Sequence, residues 1–444
     1  MSTAPFHLGY FMNGSHAQGW ATPWHGTTGK DWRTGSFHVD VARTLERGRF
    51  DFLLFEDAYH VPNYWNGSTE AFAHHGVALP RLDTLVLATH VAARTERIGL
   101  VATLPTYAYA PYLLARLVGS LDSLSGGRAA WNVVTGSSTI AARNFGRDGL
   151  GRPDDRYAHA MEYVELCKRL WDSWDADAIL DDHVNGVFAD HKKIHDVEFS
   201  GEWIQHSGSA LVSGPSPQGR PVIAQAGASP AGKLLAATHA DVVVAGGRTA
   251  QDMKAYRDTV LGHVVEQGRD PDATKVLFSI SPVIAPTEEE AQDRLRYMRA
   301  EADRHAMIEI LDHANRIDID LSGLPMDEPL TARHLEGLHT DGQRSGLARF
   351  VEMAEGRTLR QVGVDSFLAR ATQWCGSFEQ IADKMEETVA EIGGDGFLFS
   401  DKAGRHTRRN VVEVVDGLVP VLQRRGLVRE EYTETTLRGN LLAF

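Results

Sequence analysis

The chain has 444 residues, is 43% hydrophobic, and sets 45 Lys and Arg against 59 Asp and Glu for a net charge of -14. That is ample for a large core, and an acidic surface without basic blocks argues against nucleic acid or anionic membrane as a partner. With only Cys167 and Cys375 present, there is no disulfide framework and no CxxC metal signature.

The N-terminal run "MSTAPFHLGYFMNG" lacks a basic, cleavable leader, and no apolar run nears the roughly 18 residues of a membrane helix. A cytoplasmic protein is expected. Short apolar runs then alternate with helical segments. They predict strands at 6–12, 51–56, 97–104, 128–135, 221–226, 241–245, 275–284 and 396–400. Helices are predicted between them, among others at 82–93, 111–124, 156–174, 231–238 and 378–392. Eight strand–helix units of this kind point to an α/β protein, a TIM (β/α)8 barrel. Two segments exceed such a repeat, about 175–220 and 286–376, and are expected to be insertions of lid size within one domain spanning 1–444.

The predicted strands end in polar residues. The first runs into Asn13, Ser15 and His16; the second into Glu56, Asp57, Tyr59 and His60; the third presents Thr103 and Thr106. The fourth, "RAAWNVVTGSS", sets Asn132 inside an apolar strand and finishes in Thr135, Gly136, Ser137 and Ser138. In a barrel these ends converge on one pocket. The fifth runs into Gly227-Ala228-Ser229 and then Pro230, so Ser229 is placed as N-cap and Pro230 as first helical residue. That turn is either an ordinary capped helix or an anion site, with Gly227 admitting a ligand close to the backbone. His191 and His195 have His-x3-His spacing but neither a clear helix nor further ligands, so no metal is expected.

The stretches "AAWNVVTGSSTIAARNFG", "DDRYAHAMEYVELCKRLWDSWDADA" and "SPQGRPVIAQAGASPAGKLLAATHADVV" resemble a family of flavin monooxygenase A components. This is the bacterial-luciferase-like group of nitrilotriacetate, dibenzothiophene-sulfone and long-chain alkane monooxygenases. "LDTLVLATHVAARTERIGL", "GSFEQIADKMEE" and "TLRGNL" extend the likeness over nearly the whole chain. The resemblance implies reduced FMN, supplied by a separate NAD(P)H:flavin reductase, that reacts with O2 to oxygenate a small organic substrate through a flavin–oxygen adduct. It also implies a homo-oligomer, dimer or tetramer. The family's flavin contacts map onto Asp57, Thr103 and Asn132 for the ring, with Ser137 on the rim. Tyr157 and the Gly227-Ala228-Ser229 turn map to the phosphate. His16 and Tyr59 fall on the substrate side as catalytic candidates. Pro153 stands where relatives often carry histidine, which puts one flavin contact in doubt. The competing readings are oxidative cleavage or dehalogenation, action on flavin itself, and a non-catalytic flavin-binding protein.

Overall fold

A computed structural model describes residues 5–12, 27–247, 249–340, 342–400 and 407–444. Eight parallel strands close into a barrel. They are β1 (His7–Met12), β2 (Phe52–Phe55), β3 (Gly99–Pro105), β4 (Ala129–Val134), β5 (Val222–Gln225), β6 (Val242–Ala245), β7 (Lys275–Ile280) and β8 (Gly396–Ser400). They follow one another round the ring, and β8 pairs with β1. Each falls on a segment predicted from the sequence, β3 running one residue beyond its prediction to Pro105.

One prediction is corrected. The segment 275–284 is not a single strand: β7 stops at Ile280, and Val283–Ala285 instead pairs in parallel with Cys375–Ser377. Pro282 has no amide to donate and interrupts the ladder, and the chain beyond it pairs elsewhere. The second ladder joins the entry and exit of the 286–376 insertion, with Val283 N donating to Trp374 O at 2.7 Å. The helix predicted at 156–174 runs from Pro153 to Trp171, with Pro153 at its first position, where a missing N–H is harmless.

Strand alternation sorts the core. On β4, Trp131 and Val133 point outward into the main cluster with Leu104, Tyr163 and Trp171, while Ala130 faces the barrel interior with Leu54, Val101, Ala224 and Leu398. Asn132 shares the inward parity of Ala130. The interior is closed at the opposite end by Leu437 and Leu441 of the helix Leu437–Leu442. Beneath that plug, Asp51 and Arg429 form a buried ion pair at 2.5 Å.

The 175–220 segment folds into two antiparallel hairpins, Ile179–Asp182 with Val187–Ala189 and Val197–Ser200 with Gln205–Gly208. The 286–376 segment holds the helices Glu288–Ile317, Ala332–Leu335, Arg344–Ala354 and Leu359–Gln373. Ile310, Leu311, Ala314 and Phe350 from it pack on Tyr64, Phe72 and Val77 of the loop after β2. A wall therefore rises over the β2 side of the barrel mouth. Among the described residues no helix is long and apolar enough to cross a membrane.

Candidate active site

The C-terminal ends of the barrel strands open into a cavity of about 700 Å³, shared between the strand ends, the loop after β4 and the wall of the 286–376 insertion. Its size suits a cofactor together with a small substrate.

The floor is built by β3 and β4. Thr103 and Asn132 are register partners, and Asn132 Nδ2 donates to Thr103 Oγ1 at 3.0 Å. That bond turns Asn132 Oδ1 the other way, where it is buried and accepts from no donor among the described residues, in a residue only 5% exposed. A buried amide oxygen without a donor costs about 1–3 kcal/mol, so a carbonyl in this position is made for a ligand N–H or O–H. Just above it, Gly136 takes φ +92°, and a Cβ there would strike the Tyr107 ring at 2.6 Å. The strand thus leaves the floor over a turn that only glycine makes easily.

The fifth strand end behaves as a capped helix. Ser229 Oγ accepts from Gly232 N at 3.1 Å, and Pro230 opens the helix Pro230–His239. Tyr256 Oη donates to Gly227 O at 2.6 Å and fixes the turn. Gly227 also has a packing role. A Cβ on it would meet Gly232 Cα at 2.6 Å, so glycine is needed for the turn to pack on its own helix. Tyr157 arrives from the helix Pro153–Trp171. A Cβ placed on Gly232 would lie 3.2 Å from both the Tyr157 and the Ser229 hydroxyl oxygens. Two hydroxyls therefore converge on one helix N-terminus, a donor set suited to a phosphate.

The second strand end is the charged side. Asp57 accepts from Ala58 N at 2.7 Å and from Thr84 Oγ1 at 3.2 Å. Burial pushes its pKa up to about 6, against the opposing pull of Arg81. Tyr59 Oη lies 3.1 Å from Tyr109 Oη, and burial together with Asp57 raises the Tyr59 pKa, keeping the phenol neutral. His60 Nε2 bonds Asn315 Oδ1 of the insertion at 2.9 Å, and burial lowers its pKa, favouring the neutral ring. Deeper in the insertion wall, Arg316 pairs with Asp312 at 2.7 Å, near the buried Glu309. Burial opposes the charge of Arg316, but the Asp312, Glu309 and Glu56 carboxylates outweigh it and raise its pKa.

The Asp57 shift has a measurable sign. A carboxyl whose pKa is higher folded than unfolded contributes stability below the unfolded value, 3.8, that is lost as pH rises through about 6. Asp57→Asn should therefore stabilise the flavin-free protein at pH 7.5 by about 1–2 kcal/mol, allowing for partial solvent access, and by almost nothing at pH 4. Denaturant midpoints at the two pH values check this; an equal gain at both would refute it.

The structure brings Asp57, Tyr59, Thr103, Asn132, Ser137, Tyr157, Gly227, Ala228 and Ser229 to one cavity. His16 lies outside the described residues. Pro153 lines the cavity too, so that position faces the site although it offers no donor. Sequence reading passed over Arg81, Gln225, Glu309, Asn315 and Arg316, which also line it. Gln225 was legible, as a polar residue next to the end of a strand already assigned, 221–226. Arg81 and the insertion residues were not, since no motif marks which helix of a long insertion turns inward. His195 Nε2 sits 3.1 Å from Asp175, and no group of three or more metal-binding side chains occurs among the described residues.

The family model described as luciferase-like monooxygenase matches residues 16–396. Dibenzothiophene-sulfone monooxygenase of Rhodococcus erythropolis strain XP is 36% identical, over 98% of this chain and 96% of that protein. Nitrilotriacetate monooxygenase component A of Aminobacter aminovorans is 34% identical, over 98% and 96%. Among solved structures, a riboflavin lyase crystallised with modified FMN and its substrate riboflavin superposes with a TM-score of 0.87 at 29% identity, over 99% of this chain and 96% of that one.

Proposed function

The chain belongs to the luciferase-like monooxygenase family, and from that premise we propose that it oxygenates a small organic substrate with O2 and reduced FMN. A separate NAD(P)H:flavin reductase supplies the flavin, as the component-A naming of a relative supports. The carrying observation is the orphaned, buried Asn132 Oδ1 on the floor of the cavity that the Tyr157–Ser229 donor set also lines. The one fits a ring N–H and the other a phosphate.

Bound reduced FMN supplies the electrons and the activation of O2. The protein does the rest. Ser229, Tyr157 and the helix N-terminus behind them hold the phosphate; Gly227 and Ala228 shape the turn that presents it. Asn132 Oδ1 accepts from the ring, Thr103 holds the Asn132 amide in that orientation, and Ser137 closes the rim. Asp57 is a further polar partner at the edge of the ring. Apolar Phe11, Leu54 and Leu398 line the cavity and restrict water at the reacting centre. Tyr59, kept neutral, is placed to donate its hydroxyl proton in a hydrogen bond to substrate, with His16 assigned to the same side. The protein acts in the cytoplasm as a homo-oligomer, dimer or tetramer; Val184 at 93% and Phe188 at 67% exposure on the first hairpin support association.

Anaerobic titration tests the cofactor. Reduced FMN should quench the protein's tryptophan fluorescence at lower concentration than FAD, because the cavity offers one phosphate turn and no second nucleotide motif. Tight stoichiometric FAD binding would overturn the reading. Oxygen uptake with photoreduced FMN, across a panel of sulfur heterocycles, aminopolycarboxylates and alkanes, then reads the reaction by product.

A further inference from the structure

The loop between β2 and the helix Thr84–Ala92 brings Arg81 to the cavity on the side of the insertion wall. Its Nε and Nη1 are buried and have no hydrogen-bond partner among the described residues. A guanidinium is always charged, and burying its N–H groups unpaired is unfavourable by more than an ordinary orphan donor.

Nearby carboxylates do not resolve this, because each is engaged elsewhere. Asp83 caps the following helix, accepting from Leu85 N and Val86 N at 3.0 Å each. Asp57 accepts from Ala58 N and Thr84 Oγ1, and Asp312 is held by Arg316 at 2.7 Å. Arg81 forms no ion pair with any of them. Beside it, His60 bonds Asn315 through Nε2 and leaves Nδ1 buried without a partner. The phosphate donors lie at another strand end, on β5, with β3 and β4 between it and β2 in the ring. One cavity wall thus holds a fixed cation and an imidazole nitrogen, both unsatisfied.

We infer that Arg81 is the substrate's anchor, and that the substrate carries a carboxylate or a similar oxyanion which the Arg81 guanidinium binds in the half of the cavity under the insertion. The word substrate rests on the monooxygenase reading; the anion site itself rests on Arg81 alone. Planar guanidinium donors match a carboxylate in two parallel bonds, which lysine does not reproduce. The acid group would be the handle and the opposite end of the molecule the part that is oxygenated.

Matched probes test this: phenylacetate against phenylacetamide, and hexanoate against hexanamide, titrated calorimetrically into FMN-loaded and flavin-free protein. The acid should bind about ten- to a hundred-fold more tightly than its amide. Arg81→Gln should bring each pair to within a few-fold, and Arg81→Lys should keep part of the preference. FMN and riboflavin affinities should stay as in the wild type for both variants, which also certifies that they are folded. Equal binding of acid and amide by the wild type would overturn the inference, as would an acid preference that survives Arg81→Gln. Loss of discrimination between FMN and riboflavin in Arg81→Gln would also overturn it, since Arg81 would then serve the cofactor. An acid preference lost in Arg81→Gln by a protein with no affinity for FMN would support the anion site while the monooxygenase reading fails.

Discussion

Arg429→Met lowers the unfolding free energy by about 3–5 kcal/mol at neutral pH and leaves the affinity of the folded protein for flavin unchanged. The side chain is buried beneath the barrel floor. Its Nη2 donates to Asp51 Oδ1 at 2.5 Å and to Asn440 O at 2.7 Å, and its Nη1 to Asn440 Oδ1 at 2.8 Å. Asp51 in turn accepts from Leu8 N at 3.0 Å and lies 3.0 Å from His7 Nδ1. This network ties β1, the entry to β2 and the C-terminal helix together. Methionine fills the space but strands a carboxylate that is 1% exposed. Charge removal should rescue it: in Asp51→Asn the further change Arg429→Met should have a much smaller effect, the mark of a coupled pair. The pH dependence has a definite sign. Burial alone would raise the Asp51 pKa, but His7 and Arg429 hold it below 3.8. The pair's stabilisation is therefore complete above the unfolded pKa and fades as pH falls through the lower folded value. The gap between wild type and Arg429→Met should be widest at neutral pH and narrow in acid, where the stranded carboxyl, raised by burial once Arg429 is gone, protonates. Urea midpoints across that range measure it. A gap under about 1 kcal/mol at pH 7 would mean that the pair contributes no more than a surface ion pair.

The barrel was legible because each strand is short, apolar and bounded by turn residues, so period and punctuation coincide. It failed at 275–284, where Ser281-Pro282 interrupts an apolar run and Val283–Ala285 finds a distant partner at Cys375–Ser377. Nothing local announces such a pairing. The site divides in the same way. Asn132 stood out as an amide in an apolar strand, and Ser229 as a cap before proline; both signals are contained in a few residues. Arg81 carries no such signal, because what distinguishes it is that Asp57, Asp83 and Asp312 are all occupied by other partners. Occupation is a tertiary fact. Gly227 adds a further case, since the close approach of Gly232 Cα, which by itself requires glycine there, is not visible in the sequence.

The phosphate end of the cavity makes the second strong prediction. Ser229→Ala and Tyr157→Phe should each weaken FMN binding about ten- to a hundred-fold, since each removes one hydrogen bond to a charged group worth about 1.5–3 kcal/mol. The two variants differ in what else they lose. Ser229 Oγ also accepts from Gly232 N, so Ser229→Ala gives up a helix cap and about 1 kcal/mol of stability. Tyr157 Oη caps nothing, and Tyr157→Phe should melt with the wild type. Riboflavin has the same ring and no phosphate, so both variants should bind it as the wild type does. Because both hydroxyls sit 3.2 Å from one point beside Gly232, the double variant should fall short of the sum of the single effects: the phosphate left with only backbone amides shifts toward them. Fluorescence titration with the two flavins reads all of this in one series. If FMN affinity is untouched while only Ser229→Ala melts lower, Ser229 is a helix cap and Tyr157 a wall residue. The phosphate would then bind elsewhere in the cavity, and the orientation of the flavin ring over Asn132 would have to be reversed.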